Sequence, residues 1–421
     1  MKNNIKKLFG VVITLLIVFC LLSFLTNLFE RKDSINKYAD FFKQKNKYDV
    51  WFLGASHVIN GIYPMELYNK HGIVSYNLGG HGNQIATTYW TLVNALDYNT
   101  TDIVVIDCMM ISGNWKASDN YSYLHFTFDA FPFSINKVKA ITDLLNDDEL
   151  MKSYDRGDVI PSGEPREAIN LLWDFSIYHS RWNELTSGDI NPKYSIEKGA
   201  EQRISIIKEK PILKLSGLNM EAFSTGDVYL RKIINECKKR NIKVVLTYLP
   251  FYANDIYTEE SKYVYDVAKE LDVDYINFLD LDIIDYETDL CEDGEHLNPS
   301  GARKVTNYIG DYLQEKYDIE NKKDDTKYST WNDDYKKYIE LKNQKIKECS
   351  DIYTKLMLLC GDDVDIQLNI NDEKLYEDKL FMKLINQLKI KPQSIMNNTN
   401  NILELYIYRD GSLIDTLEIT Q

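Results

Sequence analysis

The chain is short of the residues that would staple it from within. Its 421 residues include 6 cysteines, 9 prolines and 19 glycines. Six cysteines at this length are too few for a disulfide framework, and none stands at zinc-ligand spacing. Cys20 lies in an apolar N-terminal run, and Cys108 sits in a strand-like segment that reads as core. Cys349 and Cys360 share one face of a helical pattern, about 16 Å apart by rise and too distant to bridge. A basic excess is also missing: the formal net charge is −15. An acidic surface repels a phosphate backbone, so nucleic acid is not an expected partner. No internal repeat organises the chain.

What is present suffices for a sizeable fold. Hydrophobic residues make up 44% and aromatics 12%, with 30 tyrosines. This supports one large domain and a small one and argues against disorder. Leu8 to Leu28 is almost wholly apolar, long enough to cross about 30 Å of hydrocarbon as a helix. Lys2, Lys6 and Lys7 precede it, and the following flank, Glu30-Arg31-Lys32-Asp33, is mixed. The positive-inside rule keeps such an N-terminus cytoplasmic and sends the rest outside. A cleaved signal peptide is the rival reading. No Ala-x-Ala follows the run, and Phe19 before Cys20 is too large for a lipid-attachment site. The expectation is an uncleaved signal anchor: a single-pass protein of the cell membrane, with residues 8–28 in lipid and the body outside.

Residues 1–29 are then the tip and anchor, and 30–47 a polar stem with helical character. From Tyr48 the pattern alternates strand and helix. Short runs rich in β-branched residues occur at Val50–Leu53, Ile73–Asn77, Ile103–Asp107, Val244–Leu249 and Asp274–Phe278, as in buried parallel strands. Helical patterns fall between them and after them, the last from Pro299 to Tyr317. Residues 48–320 thus predict an α/β domain with a doubly wound, parallel five-stranded sheet, which binds ligands at the strand C-terminal ends. Residues 108–225 interrupt the rhythm as an insertion too long for an ordinary connection. They either pack as a bland insertion or form a lid or wall over a cleft. A charged stretch, 321–330, reads as a linker, and 331–421 as a small α+β accessory domain. Within the latter, Trp331 to Cys360 reads as one amphipathic helix. Asp410-Gly411 between alternating runs signals a hairpin.

Three segments offer chemistry. Ser56 closes Phe52-Leu53-Gly54-Ala55-Ser56, directly after the first strand. A serine there is either a helix N-cap or a nucleophile, and a nucleophile needs a base for its proton. Asp293 and His296, three apart before the final helix, fit a base and the carboxylate that orients it. They fit equally a solvated acidic loop, or a calcium site of Glu292, Asp293 and Glu295. Gly79, Gly80 and Gly82 follow the second strand. They make either a tight turn or a place where main-chain amides approach a ligand. All three segments lie after predicted strands, at one end of one sheet, which favours a shared site. No metal and no cofactor is called for.

This arrangement resembles the SGNH (GDSL-like) hydrolase superfamily over roughly residues 46–318. The shared features are a serine block after strand one, Asn77-Leu78-Gly79-Gly80-His81-Gly82 after strand two, and Asp293-Gly294-Glu295-His296 before the last helix. The resemblance implies Ser56 as nucleophile, with His296 and Asp293 as its partners. It also implies an oxyanion hole from the amides of Ser56 and Gly82. Two positions depart from the pattern. Ala55 replaces the usual aspartate, and the block after strand three offers only Asn114, out of register, as a third oxyanion donor. With its apolar anchor and long insertion the chain is similar to DltD and to the AlgJ/AlgX-type proteins. Those families imply acyl transfer on a cell-surface glycan or teichoic-acid-like polymer, often beside a membrane-bound O-acyltransferase. The expected activity is therefore serine acyl-esterase or O-acyltransferase. The alternative is a non-catalytic, polymer-binding or scaffold subunit of an envelope acylation assembly.

Overall fold

The computed structural model describes residues 2–32, 37–38, 41–42, 45, 47–163, 166–173, 175–190, 195–207, 224–394 and 401–420. Five parallel strands form its main sheet: β1 (Lys47–Leu53), β2 (Ser75–Asn77), β3 (Thr100–Asp107), β4 (Lys243–Tyr248) and β5 (Asp274–Asn277). Their order is β2-β1-β3-β4-β5. Side chains alternate across a strand, and here both sets are apolar. In β1, Trp51 and Leu53 enter one core while Val50 and Phe52 enter the other. In β3, Val104 and Ile106 oppose Ile103 and Val105. Such strands need helices on both faces. Helices Ile85–Ala95, Thr225–Lys239 and Asp255–Glu270 cover the first face. Helices Ser56–Gly61, Pro64–His71 and Pro299–Tyr317 cover the second. The chain winds outward from β1 in both directions, so the carboxyl ends of β1 and β3 flank a topological switch point.

Among the described residues one helix, the N-terminal Lys2–Phe29, is long and apolar enough over Ile5–Phe29 to span a membrane. The segment after it is less of a stem than its polarity implies. Tyr38 and Phe41, one helical turn apart, are fully buried. Phe41 packs on Tyr48, Trp51 and Tyr76 with centroids 5.6, 5.4 and 5.0 Å away. Burial of each such ring contributes roughly 1.5–3 kcal/mol, enough to bind the segment to the sheet. Residues 33–36, 39–40, 43–44 and 46 lie outside the described residues, as does 208–223 of the insertion.

The stretch expected as a linker is also docked. Lys322 N donates to Gly72 O at 3.1 Å, and Lys322 Nζ pairs with Asp49 of β1. Beyond it, the single helix expected over Trp331–Cys360 is two, Ser329–Glu348 and Ile352–Leu359. Cys349 leaves helical geometry, and Asp351 caps the second helix by accepting from Thr354 N at 2.9 Å. Apolar periodicity runs through this break because Ile346 of the first helix and Leu356 of the second enter one core. The break removes the common helical face of Cys349 and Cys360, and both thiols are free.

A second, four-stranded sheet comprises β6 (Asp365–Ile370), β7 (Gln393–Ser394), β8 (Asn401–Arg409) and β9 (Ser412–Thr420), in the order β7-β6-β8-β9. Asp410 and Gly411 join β8 to β9 with φ of 50° and 73°, the left-handed pair that a two-residue hairpin turn requires. Buried charge ties this part to the main body. Glu66 Oε1 accepts from Lys342 Nζ at 2.8 Å, Tyr338 Oη at 3.1 Å and Arg303 Nε at 3.3 Å. Asp362 pairs with Lys342 and, at 2.8 Å, with Arg409.

Candidate active site

β1 runs into Gly54, whose φ is +149°. A Cβ there would stand 2.7 Å from Val58 Cγ2 and 3.1 Å from Asp107 Cβ. Only glycine lets the chain turn this tightly from strand to helix, and the turn sets Ser56 at the first position of helix Ser56–Gly61. The glycine turn after β2 is braced against that helix. Asn77 Nδ2 donates to Val58 O at 2.7 Å and Ile62 O at 2.9 Å, while its Oδ1 accepts from Gly79 N at 3.1 Å. Gly80 N donates to Gly54 O at 3.0 Å. Gly82, with φ of +60°, lies under the Tyr123 ring, which a Cβ would meet at 2.5 Å.

The Asp293–His296 loop is shaped by its own aspartate. Asp293 Oδ1 accepts from Glu295 N at 3.0 Å and His296 N at 3.1 Å. Cys291 N donates to His296 O at 2.8 Å, which closes the loop. Asn298 then starts helix Pro299–Tyr317 by accepting from Ser300 N and Gly301 N. The result brings together residues 240 positions apart. His296 Nε2 lies 2.8 Å from Ser56 Oγ, and His296 Nδ1 lies 2.8 Å from Asp293 Oδ2. Burial opposes ionisation of Asp293, but its bonds from the His296 ring and from two amides outweigh it. Its carboxyl is held below the usual carboxylate range.

Arg203 adds a contact that no motif announced. Its Nη1 lies 2.7 Å from Asp293 Oδ2 and 3.0 Å from His296 Nδ1. A guanidinium only donates and a carboxylate only accepts. Both therefore meet at Asp293 Oδ2 when His296 Nδ1 carries the proton. Nε2 is then the acceptor for the Ser56 hydroxyl. Asp293 is fully engaged by these partners, so Glu292, Asp293 and Glu295 do not converge on a calcium ion. Among the described residues, no group of three or more His, Cys, Asp or Glu is placed to hold a metal.

Ser56 and His296 open onto a cavity of about 390 Å³, with Asn60, His81, Gly82 and Tyr123 among its walls. The insertion supplies one wall through Tyr123 and the run Glu201-Gln202-Arg203. That run is fixed by Glu201 N donating to Ile59 O at 3.0 Å and by Asn60 Nδ2 donating to Glu201 O at 2.9 Å. His81 Nε2 lies 3.1 Å from Glu201 Oε2. The main-chain N–H groups of Ser56 and Gly82 meet no acceptor among the described residues. His57 is buried behind Ser56, its ring 5.2 Å from that of His296. Burial, then the neighbouring His296, pushes it down to about 3, so it stays neutral.

Asn114 does not join this group. After β3 the chain runs to the N-terminus of helix Thr225–Lys239, where Ser224 Oγ donates to Ile111 O at 2.6 Å and Gly226 N to Gly113 O at 2.8 Å. Asn114 follows that path, is exposed, and accepts from Thr225 N at 3.4 Å. It is absent from the cavity wall. Its place after strand three was a sequence coincidence; the docking of 111–113 onto the helix carries it elsewhere. Arg203, Asn60, Glu201 and Tyr123 gave no sequence signal, because each reaches the cavity through packing between distant segments. No family model matches the chain, and no curated protein matches it.

Proposed function

We propose that this protein is a membrane-anchored serine acyl-esterase or O-acyltransferase whose body faces away from the cytoplasm and acts on a cell-surface glycan or acylated polymer. One observation carries the reading: the Ser56–His296–Asp293 relay, with two contacts of 2.8 Å, opens on a cavity. His296 Nε2 takes the Ser56 proton as Oγ attacks an ester carbonyl, and Asp293 holds the imidazolium that forms. The carbonyl oxygen gains charge, which the amides of Ser56 and Gly82 are available to stabilise. Collapse breaks the ester bond. The alkoxide leaves with the proton from His296, and the acyl group stays on Ser56. A sugar hydroxyl or water then gives its proton to His296, attacks the acyl-enzyme and frees Ser56. The apolar N-terminal helix supports an anchored protein, and the second sheet serves in this reading as an accessory domain.

A scaffold role draws on Asn114, whose absence from the cavity removes one expected donor, and on the guanidinium beside His296, which opposes an imidazolium. A fluorophosphonate probe separates the two readings. The acyl-enzyme mechanism requires that wild type be labelled and Ser56→Ala not. Equal labelling of both overturns it.

A further inference from the structure

The N-terminal helix does not leave the body on a free tether. Its last turns pack on short helices of the insertion, Phe175–Tyr178, His179–Asn183 and Ser187–Ile190. Phe29 stacks on Phe175 with centroids 6.1 Å apart. Trp173 Nε1 donates to Thr26 Oγ1 at 3.3 Å. Arg181 Nη1 donates to Phe29 O at 2.6 Å and Glu30 O at 2.8 Å, and Nη2 to Asp189 Oδ1 at 3.0 Å. The last carbonyls of a helix have no partner inside it. Here a guanidinium fixed by a carboxylate takes them.

Thr26 and Phe29 belong to the 25-residue apolar run Ile5–Phe29. At helical rise that run is roughly 37 Å long, against about 30 Å of hydrocarbon. In a bilayer its last turn therefore lies at the boundary of headgroups and acyl chains, and whatever packs on that turn lies there too. Two neighbours in sequence of the packing residues are apolar and exposed. Trp182, next to Arg181, is 70% exposed, and Ile190, next to Asp189, is 67% exposed. Trp173 remains 40% exposed beside its bond to Thr26. Tryptophan is the side chain most suited to this boundary, since its ring is apolar and its N–H is not.

We infer that residues 168–173 and 175–190 form a membrane-interface platform, with Trp173, Trp182 and Ile190 entering the headgroup–acyl boundary of the bilayer on the side that carries the body. The platform rests on the membrane-spanning reading of the N-terminal helix and is independent of the chemistry at Ser56. It also bears on that site. Only residues 30–36 separate Phe29 from Lys37, a reach of at most about 29 Å. Lys37 Nζ donates to Gly79 O, and Gly79 abuts Ala55. The cavity is thereby held close to the lipid surface, within reach of a membrane-borne acyl donor.

Tryptophan emission in proteoliposomes tests the platform. The full chain is reconstituted in phosphatidylcholine brominated near the headgroup end of one acyl chain, and bromine quenches nearby indoles. The N-terminal helix contains no tryptophan. Trp182→Phe should lose about half of the quenchable emission, Trp173 being the other interfacial indole. Ile190→Trp should add quenched emission, and Tyr376→Trp in the C-terminal region should add none. Carbonate extraction of the same vesicles reports the span separately. Protein that resists carbonate while Trp182→Phe and Ile190→Trp leave quenching unchanged overturns the platform and leaves the span standing. Protein released by carbonate overturns the span, and the platform with it.

Discussion

Asp293→Asn isolates the proton relay from the fold. In the wild type, Asp293 Oδ1 accepts from two amides, and Oδ2 faces both His296 Nδ1 and Arg203. An asparagine must keep its carbonyl toward the two amides, because the reverse orientation would set donors against donors. Its NH₂ then faces His296 Nδ1, and so does Arg203. Nδ1 can satisfy them only as an acceptor, which moves the imidazole proton to Nε2. Nε2–H then points at Ser56 Oγ, and the hydroxyl has no base. A wrong tautomer of this kind costs about 10⁴-fold in rate, or about 5.5 kcal/mol of barrier. The loop keeps its two amide bonds, so the loss of stability should be only that of one charge-assisted bond, about 1.5–3 kcal/mol. The assay is the second-order rate of fluorophosphonate labelling, with thermal unfolding measured in parallel. Labelling of Asp293→Asn within tenfold of wild type, with the fold intact, would refute the assignment of His296 as base through this tautomer.

Three further outcomes are expected. Burial pushes the Asp107 carboxyl up to about 7, against its bonds from the Leu249, Met109 and Cys108 amides; an unfolded aspartate titrates near 3.9. The folded state thus holds a proton that the unfolded chain has released, and stability falls as pH rises from about 4 to about 7, by up to about 4 kcal/mol. Urea unfolding of Asp107→Asn should lose that slope; a slope equal to wild type counts against a protonated Asp107. Glu66→Ala leaves Asp362 as the one carboxylate beside the buried cations Arg303 and Lys342 and should cost about 3–5 kcal/mol, read as a lower Tm; a change under about 1 kcal/mol would show that the network is solvated. Gly54→Ala forces a Cβ to 2.7 Å from Val58 at a φ of +149°, which should cost about 1–3 kcal/mol and slow labelling at Ser56; unchanged labelling would mean the turn is not what places the hydroxyl.

Much of the fold was legible because its signals are local. Apolar runs of strand length, with both sets of alternate residues apolar, announce buried parallel strands whatever their neighbours. The Asp410-Gly411 turn shows as a two-residue pattern between alternating runs, and the turn at Gly54 as a glycine directly after its strand. The extent of the N-terminal apolar run follows from counting. Signals that depend on a second, distant surface misled. Residues 30–47 look polar in sequence, yet Tyr38 and Phe41 complete the core beneath β1. The helix expected over 331–360 breaks at Asp351, because a capping carboxylate outweighs an unbroken apolar stripe.

The site divides the same way. Ser56, Gly82, Asp293 and His296 could be picked out because each stands in a short pattern tied to its own strand or helix end. That the first and last of these meet at 2.8 Å was decided by strand order and by the packing of helix Pro299–Tyr317 on helices Ser56–Gly61 and Pro64–His71. Tertiary structure alone drew in Arg203, Glu201 and Tyr123, and it alone sent Asn114 to the N-terminus of helix Thr225–Lys239. Local chain geometry is written in near neighbours. The distance between two side chains far apart in sequence is the sum of every packing contact between them, and no pattern of neighbours encodes that sum.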